Sequence, residues 1–274
     1  MPHEGQTHNP HRFFCSVLPK AADFADPANS SDGTGGAGDA SQDASGVGIS
    51  DPRCTLDRLE SHHARKALRL SAGDPVELFD GQGTLAQATI ERYDAARALC
   101  YITSIEHHPP ITPSLTVASA VPKGSLADAM VTQLSQLGVD TYIPLQTDHS
   151  VAMPSAAKLE RFAKSTTETA KQCRRLWLMH IDEPQTPAAA WSADAYDLML
   201  ITSPSSDPLP DLADRLRASQ RVLVLVGPEG GWSPAELQAA AKSGCVSWSI
   251  APNILRIETA ATAVPAILRY LGLP

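Results

Sequence analysis

The sequence predicts an α/β protein in two parts: a small β-rich unit, read as a barrel, followed by a mostly parallel sheet with helices on both faces. Three observations predict this. From Ser114 onward, apolar runs alternate with helical patterns, the signature of crossovers between parallel strands. Before that point, strand-like runs follow one another through short turns. Between them lie Pro109-Pro110 and Pro113, a proline-marked linker that divides the chain into parts 1–108 and 109–274.

The elements follow in order. Arg12–Leu18 reads as a first strand. Residues 21–52 are rich in Gly, Ala, Ser and Asp and show no aliphatic periodicity. Such a stretch buries too little surface to offset the entropy of ordering, so it is read as a disordered acidic insertion. Glu60–Leu70 reads as a helix carrying His62, His63, Arg65, Lys66 and Arg69. Val76–Asp80, Leu85–Tyr93 and Ala98–His107 read as strands joined by Gly-Gln-Gly and Asp-Ala-Ala turns. In the second part, strands are expected at Leu115–Val121, Thr141–Leu145, Leu176–Ile181, Asp197–Thr202, Arg221–Val226 and Val246–Ile250. Helices are expected from Ser125 to Leu137, with Ser125 and Asp128 at the start, and from Ala156 to about Cys173. Two more run from Pro234 to Ser243 and from Glu258 to Leu271, with Pro265 expected to kink the last or shift its start.

The 274-residue chain is 43% apolar but only 5% aromatic, so aliphatic packing must dominate its core. Its net charge of −8 argues against a generic nucleic-acid binder. Six aspartates, with no Lys or Arg, fall within 21–52, and the remainder carries −2, a nearly neutral body that leaves room for a local basic patch. The five cysteines lack Cys-x-x-Cys spacing and read as buried free thiols in a reducing compartment. The adjacent pairs His62-His63 and His107-His108 are poorly arranged to chelate, and no metal is expected. No apolar run reaches membrane-span length, and Met1–Gly5 lacks a signal-like pattern, so a cytoplasmic chain is expected.

Chemistry points to two loops. The apolar run Val222–Val226 breaks into Gly227-Pro228-Glu229-Gly230-Gly231-Trp232, and Ser233-Pro234-Ala235-Glu236 has capping-box spacing with proline at the first helical position. The segment is neither a P-loop nor a dinucleotide fingerprint. It suits a tight strand-to-helix turn as well as a ligand site whose glycines admit close backbone approach. The second loop, Ile250-Ala251-Pro252-Asn253-Ile254-Leu255-Arg256-Ile257-Glu258-Thr259-Ala260, also joins a strand to a helix. Arg256 and Glu258 there suit either chemistry or an ion pair at the helix start.

Together the two loops resemble the SPOUT methyltransferase superfamily, and more closely its RsmE family, which methylates N3 of a uridine in 16S ribosomal RNA. The first loop matches with Trp232 as its aromatic residue; the second matches at Ile254-Leu255-Arg256 and Glu258-Thr259-Ala260. It departs at Ile250-Ala251, where Leu-Gly is usual, and at Ile257, usually Thr. Pro122-Lys123-Gly124, Gln136-Leu137-Gly138-Val139, Thr169–Arg175, His62–Arg69 with Gly73-Asp74, and Arg12-Phe13-Phe14 extend the similarity over nearly the whole chain outside 21–52.

The resemblance implies a SPOUT-type knotted, mostly parallel sheet preceded by a small PUA-like β-barrel domain. It implies S-adenosylmethionine held at Thr202, Gly227, Gly230, Gly231, Ile250, Ile254 and Leu255. Arg256, Glu258 and Glu229 are the implied catalytic candidates, Arg256 stabilising a developing uracil anion and a carboxylate accepting the N3 proton. Arg12, Arg65, Lys66, Arg69, Lys123, Arg174 and Arg175 are the candidate RNA contacts. The implied partners are 16S ribosomal RNA or the small ribosomal subunit and a second copy of the chain, with neither membrane nor DNA. The alternatives are methylation of another RNA site, such as a ribose 2′-oxygen or tRNA, or an assembly factor that has lost catalysis.

Overall fold

The two sequence patterns fold into two units, each with its own core. The computed structural model describes residues 10–19, 51–191 and 195–272, and the chain divides into Met1–Pro109 and Pro110–Pro274. Of the expected acidic insertion, all but Asp51 and Pro52 lies outside the described residues.

In the first unit, the described strands are β1 (His11–Phe14), β2 (Arg53–Thr55), β3 (Pro75–Phe79), β4 (Thr84–Asp94) and β5 (Arg97–His107), in sheet order β1-β3-β4-β5-β2. β3, β4 and β5 form an antiparallel meander, β1 joins β3 in parallel, and β2 joins β5 antiparallel. β4 alternates as a half-buried strand must: Ala86, Ala88 and Ile90 face the core while Gln87, Thr89 and Glu91 are partly exposed. The two edges of the sheet meet through thiols. Cys15, just after β1, interacts with Cys54 on β2, and Cys54 interacts with Cys100, its partner across β5. A sheet whose edges touch across its own core is curled like a barrel. Hydrogen bonding to Cys54 together with burial pushes the Cys15 thiol up, and hydrogen bonding to Cys100 is the largest influence pushing Cys54 up to about 12. All five cysteines are free, though Cys173 is only half-buried.

Local chemistry moved some boundaries. β1 ends at Phe14 rather than Leu18, and Val17 is exposed. The first helix, α1 (Arg58–His62), starts before Glu60 because the Asp57 carboxylate caps it by accepting the Glu60 N–H at 2.8 Å. It continues as a π turn over His63–Ala67.

In the second unit, the described strands are β6 (Ser114–Ser119), β7 (Thr141–Pro144), β8 (His180–Ile181), β9 (Leu198–Thr202), β10 (Arg221–Val226) and β11 (Val246–Trp248). They are parallel throughout, in order β11-β9-β10-β6-β7-β8. β10 explains why both faces must be covered: Val222, Val224 and Val226 enter one core, Leu223 and Leu225 the other. The first core also takes side chains from α2 (Leu126–Gln136), α3 (Ala156–Cys173), α5 (Leu212–Arg217) and α7 (Ile257–Leu271). The second takes them from α4 (Pro187–Ala190) and α6 (Pro234–Lys242). α4 and α5 are too short to show a helical period and were not foreseen. β8 and β11 are shorter than expected.

α2 begins as expected, with Ser125 at its N-cap position and Asp128 in its first turn. Ser125 makes no side-chain cap on α2, and Asp128 binds Lys158 and Arg161 of α3, at 2.7 and 2.8 Å. Desolvation opposes the charge on Asp128, but those two cations outweigh it and hold the carboxyl below its ordinary value. Pro265 does not delay the start of α7, which begins at Ile257, and the helix continues past it with the residue buried.

α7 is held by a polar hub. Asp140, between α2 and β7, accepts from Arg175 at 2.8 Å, from Arg269 at 2.9 Å and from the Leu115 N–H at 2.8 Å. Arg269, on α7, also donates to the Pro113 and Gly138 carbonyls, and Arg175 to those of Ser135 and Val139. From the edge strand β11 the chain thus returns to the middle of the sheet, where α7 packs on β6 and β10 and against α2 and α5. Asp140→Ala strands two partly buried guanidinium groups, and urea denaturation should show a loss of about 2–3 kcal/mol. Wild-type stability in that variant would contradict the hub.

Candidate functional site

Three strands deliver the site. The carboxyl ends of β9, β10 and β11 open into Thr202–Pro204, Gly227–Trp232 and Ser249–Leu255, and these loops enclose a cleft of about 290 Å³. A crevice at the carboxyl end of a parallel sheet is the common ligand position in open α/β folds. The seven positions expected to hold a cofactor, Thr202, Gly227, Gly230, Gly231, Ile250, Ile254 and Leu255, all line this one cleft. Ile254 is 84% exposed, an apolar side chain on the cleft with little protein cover.

The glycine-rich wall is shaped by Trp232. Its indole N–H donates to the Thr202 carbonyl at 2.8 Å, laying the ring against Gly227, where a Cβ would sit 2.9 Å from the indole. Glycine is needed there for space. Gly231 adopts φ +73° and donates its N–H to the Pro228 carbonyl, closing a tight turn. The Thr202 hydroxyl donates to the Leu225 carbonyl at 3.2 Å, so its hydroxyl and carbonyl are both engaged within the protein and it serves the cleft as wall. Beyond the turn the expected capping box forms in full: the Ser233 hydroxyl accepts the Glu236 N–H, the Glu236 carboxylate accepts the Ser233 N–H, and Pro234 opens α6.

The second loop carries no left-handed non-glycine residue. Ala251 lines the cleft without a left-handed backbone, so the alanine is accommodated where the family pattern has glycine. Arg256 is the N-cap residue of α7, exposed and without a side-chain capping bond. Glu258 is half-buried in the first turn, and among the described residues no ion pair joins it to Arg256. Arg256 lies between two cleft-lining residues, Leu255 and Ile257, and Glu229 is the exposed carboxylate on the cleft wall. Sequence reasoning gave no role in the cleft to Trp248, Ser203, Pro204 or Asn253, which also line it; the strand-to-loop junctions were the available signal.

The basic residues sort into two groups. Arg65, Lys66, Arg69, Lys123 and Arg174 are exposed, Arg65 lying over the Tyr93 ring at 5.2 Å. Arg12 and Arg175 are corrections. The Arg12 side chain is 6% exposed and bonded to Glu77 at 2.8 and 2.9 Å. Arg175 is 13% exposed and belongs to the Asp140 hub. Both are structural cations without a face for RNA. Among the described residues no group of three or more His, Cys, Asp or Glu side chains is arranged to hold a metal ion, and no helix is long and apolar enough to cross a membrane.

Comparison with known proteins adds independent findings. A family model described as an RNA methyltransferase domain matches residues 109–269, and one described as an RNA methyltransferase PUA domain matches 56–100. The chain is 29% identical over 221 residues to "Ribosomal RNA small subunit methyltransferase E" of Synechocystis sp., covering 79% of this chain and 73% of that protein. It is similar to the crystal structure of a probable rRNA-methyltransferase from Porphyromonas gingivalis, with TM-score 0.71, 26% identity, and 81% and 94% of the two chains covered. A "Ribosomal RNA small subunit methyltransferase E" from Neisseria gonorrhoeae, bound to S-adenosyl methionine, shares the fold with TM-score 0.76 at 21% identity, covering 96% and 98%.

The packing of Trp232 on Gly227 can be tested directly. In Gly227→Ala the added methyl displaces the indole from Thr202, which should shift tryptophan emission and lower stability by about 1–3 kcal/mol. Emission and denaturation curves matching the wild type would contradict this arrangement.

Proposed function

The chain belongs to the RNA methyltransferase family whose model spans residues 109–269, and we propose that it methylates N3 of a specific uridine in 16S ribosomal RNA. One observation carries this reading. The two loops that bear the family resemblance, 227–236 and 250–260, are separate in sequence yet contribute facing residues to a single, largely apolar cleft. The names of the similar proteins from Synechocystis sp. and Neisseria gonorrhoeae support a small-subunit ribosomal RNA substrate, and the latter's bound ligand supports the cofactor.

The cleft fits S-adenosylmethionine by its chemistry. Ile250, Ile254 and Leu255 offer apolar surface to a planar base, and the glycine-rich turn at 227–231 offers backbone within close reach. When bound, that group supplies a methyl already activated by a sulfonium, so the protein's task is to orient the acceptor and manage one proton. Uracil N3 carries a proton at neutral pH. Glu229, exposed on the cleft wall, and Glu258, in the first turn of α7, are the carboxylates that can accept it. Arg256, with its guanidinium unpaired to Glu258, stabilises the negative charge that develops on a uracil oxygen. Arg65, Lys66, Arg69, Lys123 and Arg174 position phosphates. We assign the active species as a cytoplasmic homodimer, acting on 16S RNA or the small subunit.

An N3 methyl blocks base pairing and arrests reverse transcriptase. A strain lacking the protein should lose one such stop in its 16S RNA; persistence of every stop would refute the assignment. In the purified enzyme, Arg256→Ala should lower kcat by about 100-fold or more while cofactor affinity stays within about twofold. Full turnover would remove Arg256 from the chemistry.

A further inference from the structure

After β7 the chain makes a tight turn at Thr147–Ser150, closed by the Ser150 N–H donating to the Thr147 carbonyl at 3.1 Å. The turn belongs to neither cleft loop, and its residues are absent from the cleft lining. It nevertheless grips the glycine-rich wall. The Asp148 N–H donates to Glu236 at 3.0 Å, and the Asp148 carboxylate accepts the Ser233 hydroxyl at 2.6 Å, so the turn is anchored to the capping box of α6. The next residue reaches the cleft wall itself. His149 Nδ1 lies 3.0 Å from the Gly231 carbonyl oxygen. A carbonyl only accepts, so Nδ1 carries the proton. His149 Cβ also sits where a side chain at position 230 would have to go, 3.0 Å from a Cβ built on Gly230.

Resting on the reading of the cleft as the methyl-donor site, we propose that His149 is a positioning residue for that site. Its Nδ1–H fixes the Gly231 carbonyl, and its bulk fixes Gly230. Together they hold the Pro228–Gly231 turn in the shape that meets the cofactor. His149 acts through those two glycines. Because the ring is exposed and Asp148 anchors the turn independently, removing it should disturb the cleft far more than the fold.

The test is calorimetric titration with S-adenosylhomocysteine, paired with methyl-transfer kinetics, on the full-length chain. His149→Ala should raise the dissociation constant and the KM for S-adenosylmethionine by roughly 3–10-fold, as expected for one lost hydrogen bond. Its kcat at saturating cofactor should stay within about twofold, and its melting temperature within roughly 3 °C of the wild type. His149→Asn places an amide N–H near the Nδ1 position and should restore affinity to within about twofold. Wild-type affinity in His149→Ala overturns the proposal. So does a kcat loss shared by Ala and Asn at unchanged affinity, because the ring would then act on the RNA. Failure of the wild-type chain to bind is seen before any substitution; it overturns the methyl-donor reading, and this proposal with it.

Discussion

The Asp140 carboxylate sets the arrangement on which the site depends. By holding Arg269 it pins α7 beneath the middle of the parallel sheet, and by holding Arg175 it ties the end of α3 to the same point. β11, however, ends at Trp248 on the outer edge of the sheet, while α7 starts at Ile257. The intervening residues must therefore travel from the sheet edge back toward its centre. The cleft exists because that return path faces the loop leaving β10, and residues of both line it.

A second constraint gives the cleft its width. The indole of Trp232 is fixed by the Thr202 carbonyl and lies flat enough on Gly227 to exclude even a methyl group there. The wall is thus backbone on one side and aliphatic side chain on the other, from Ile250, Ile254 and Leu255. That combination offers apolar surface to a planar group, with Glu229 exposed on the wall and Arg256 exposed beside it. This arrangement suits the proposed function, in which the cleft takes the methyl donor and the polar residues around it handle the charge of the acceptor.

What could be read from the residues was what local spacing determines. β10 matched to the residue, because five consecutive aliphatic residues bounded by glycine have few other fates. The capping box at Ser233 and Glu236 was legible because its partners are three residues apart. What stayed hidden was long-range pairing. Arg12 and Arg175 resemble surface cations until partners 65 and 35 residues away are brought beside them. The contact between Cys15, Cys54 and Cys100 required the curl of a sheet that periodicity does not specify. His149 escaped notice for the same reason, since its partner Gly231 is 82 residues away. Pro265 shows a third limit: local sequence marks an internal proline as a helix breaker, whereas burial of the residue and the Asp140 hub hold α7 together through it.

The most direct test of this account is a crystal structure with S-adenosylhomocysteine. The ligand should occupy the cleft between Gly227–Trp232 and Ser249–Leu255, with the Trp232–Thr202 hydrogen bond intact and Arg256 facing the position of the transferred methyl. Ligand density elsewhere on the chain, or a cleft that must break the Trp232–Thr202 bond to admit it, would contradict the account.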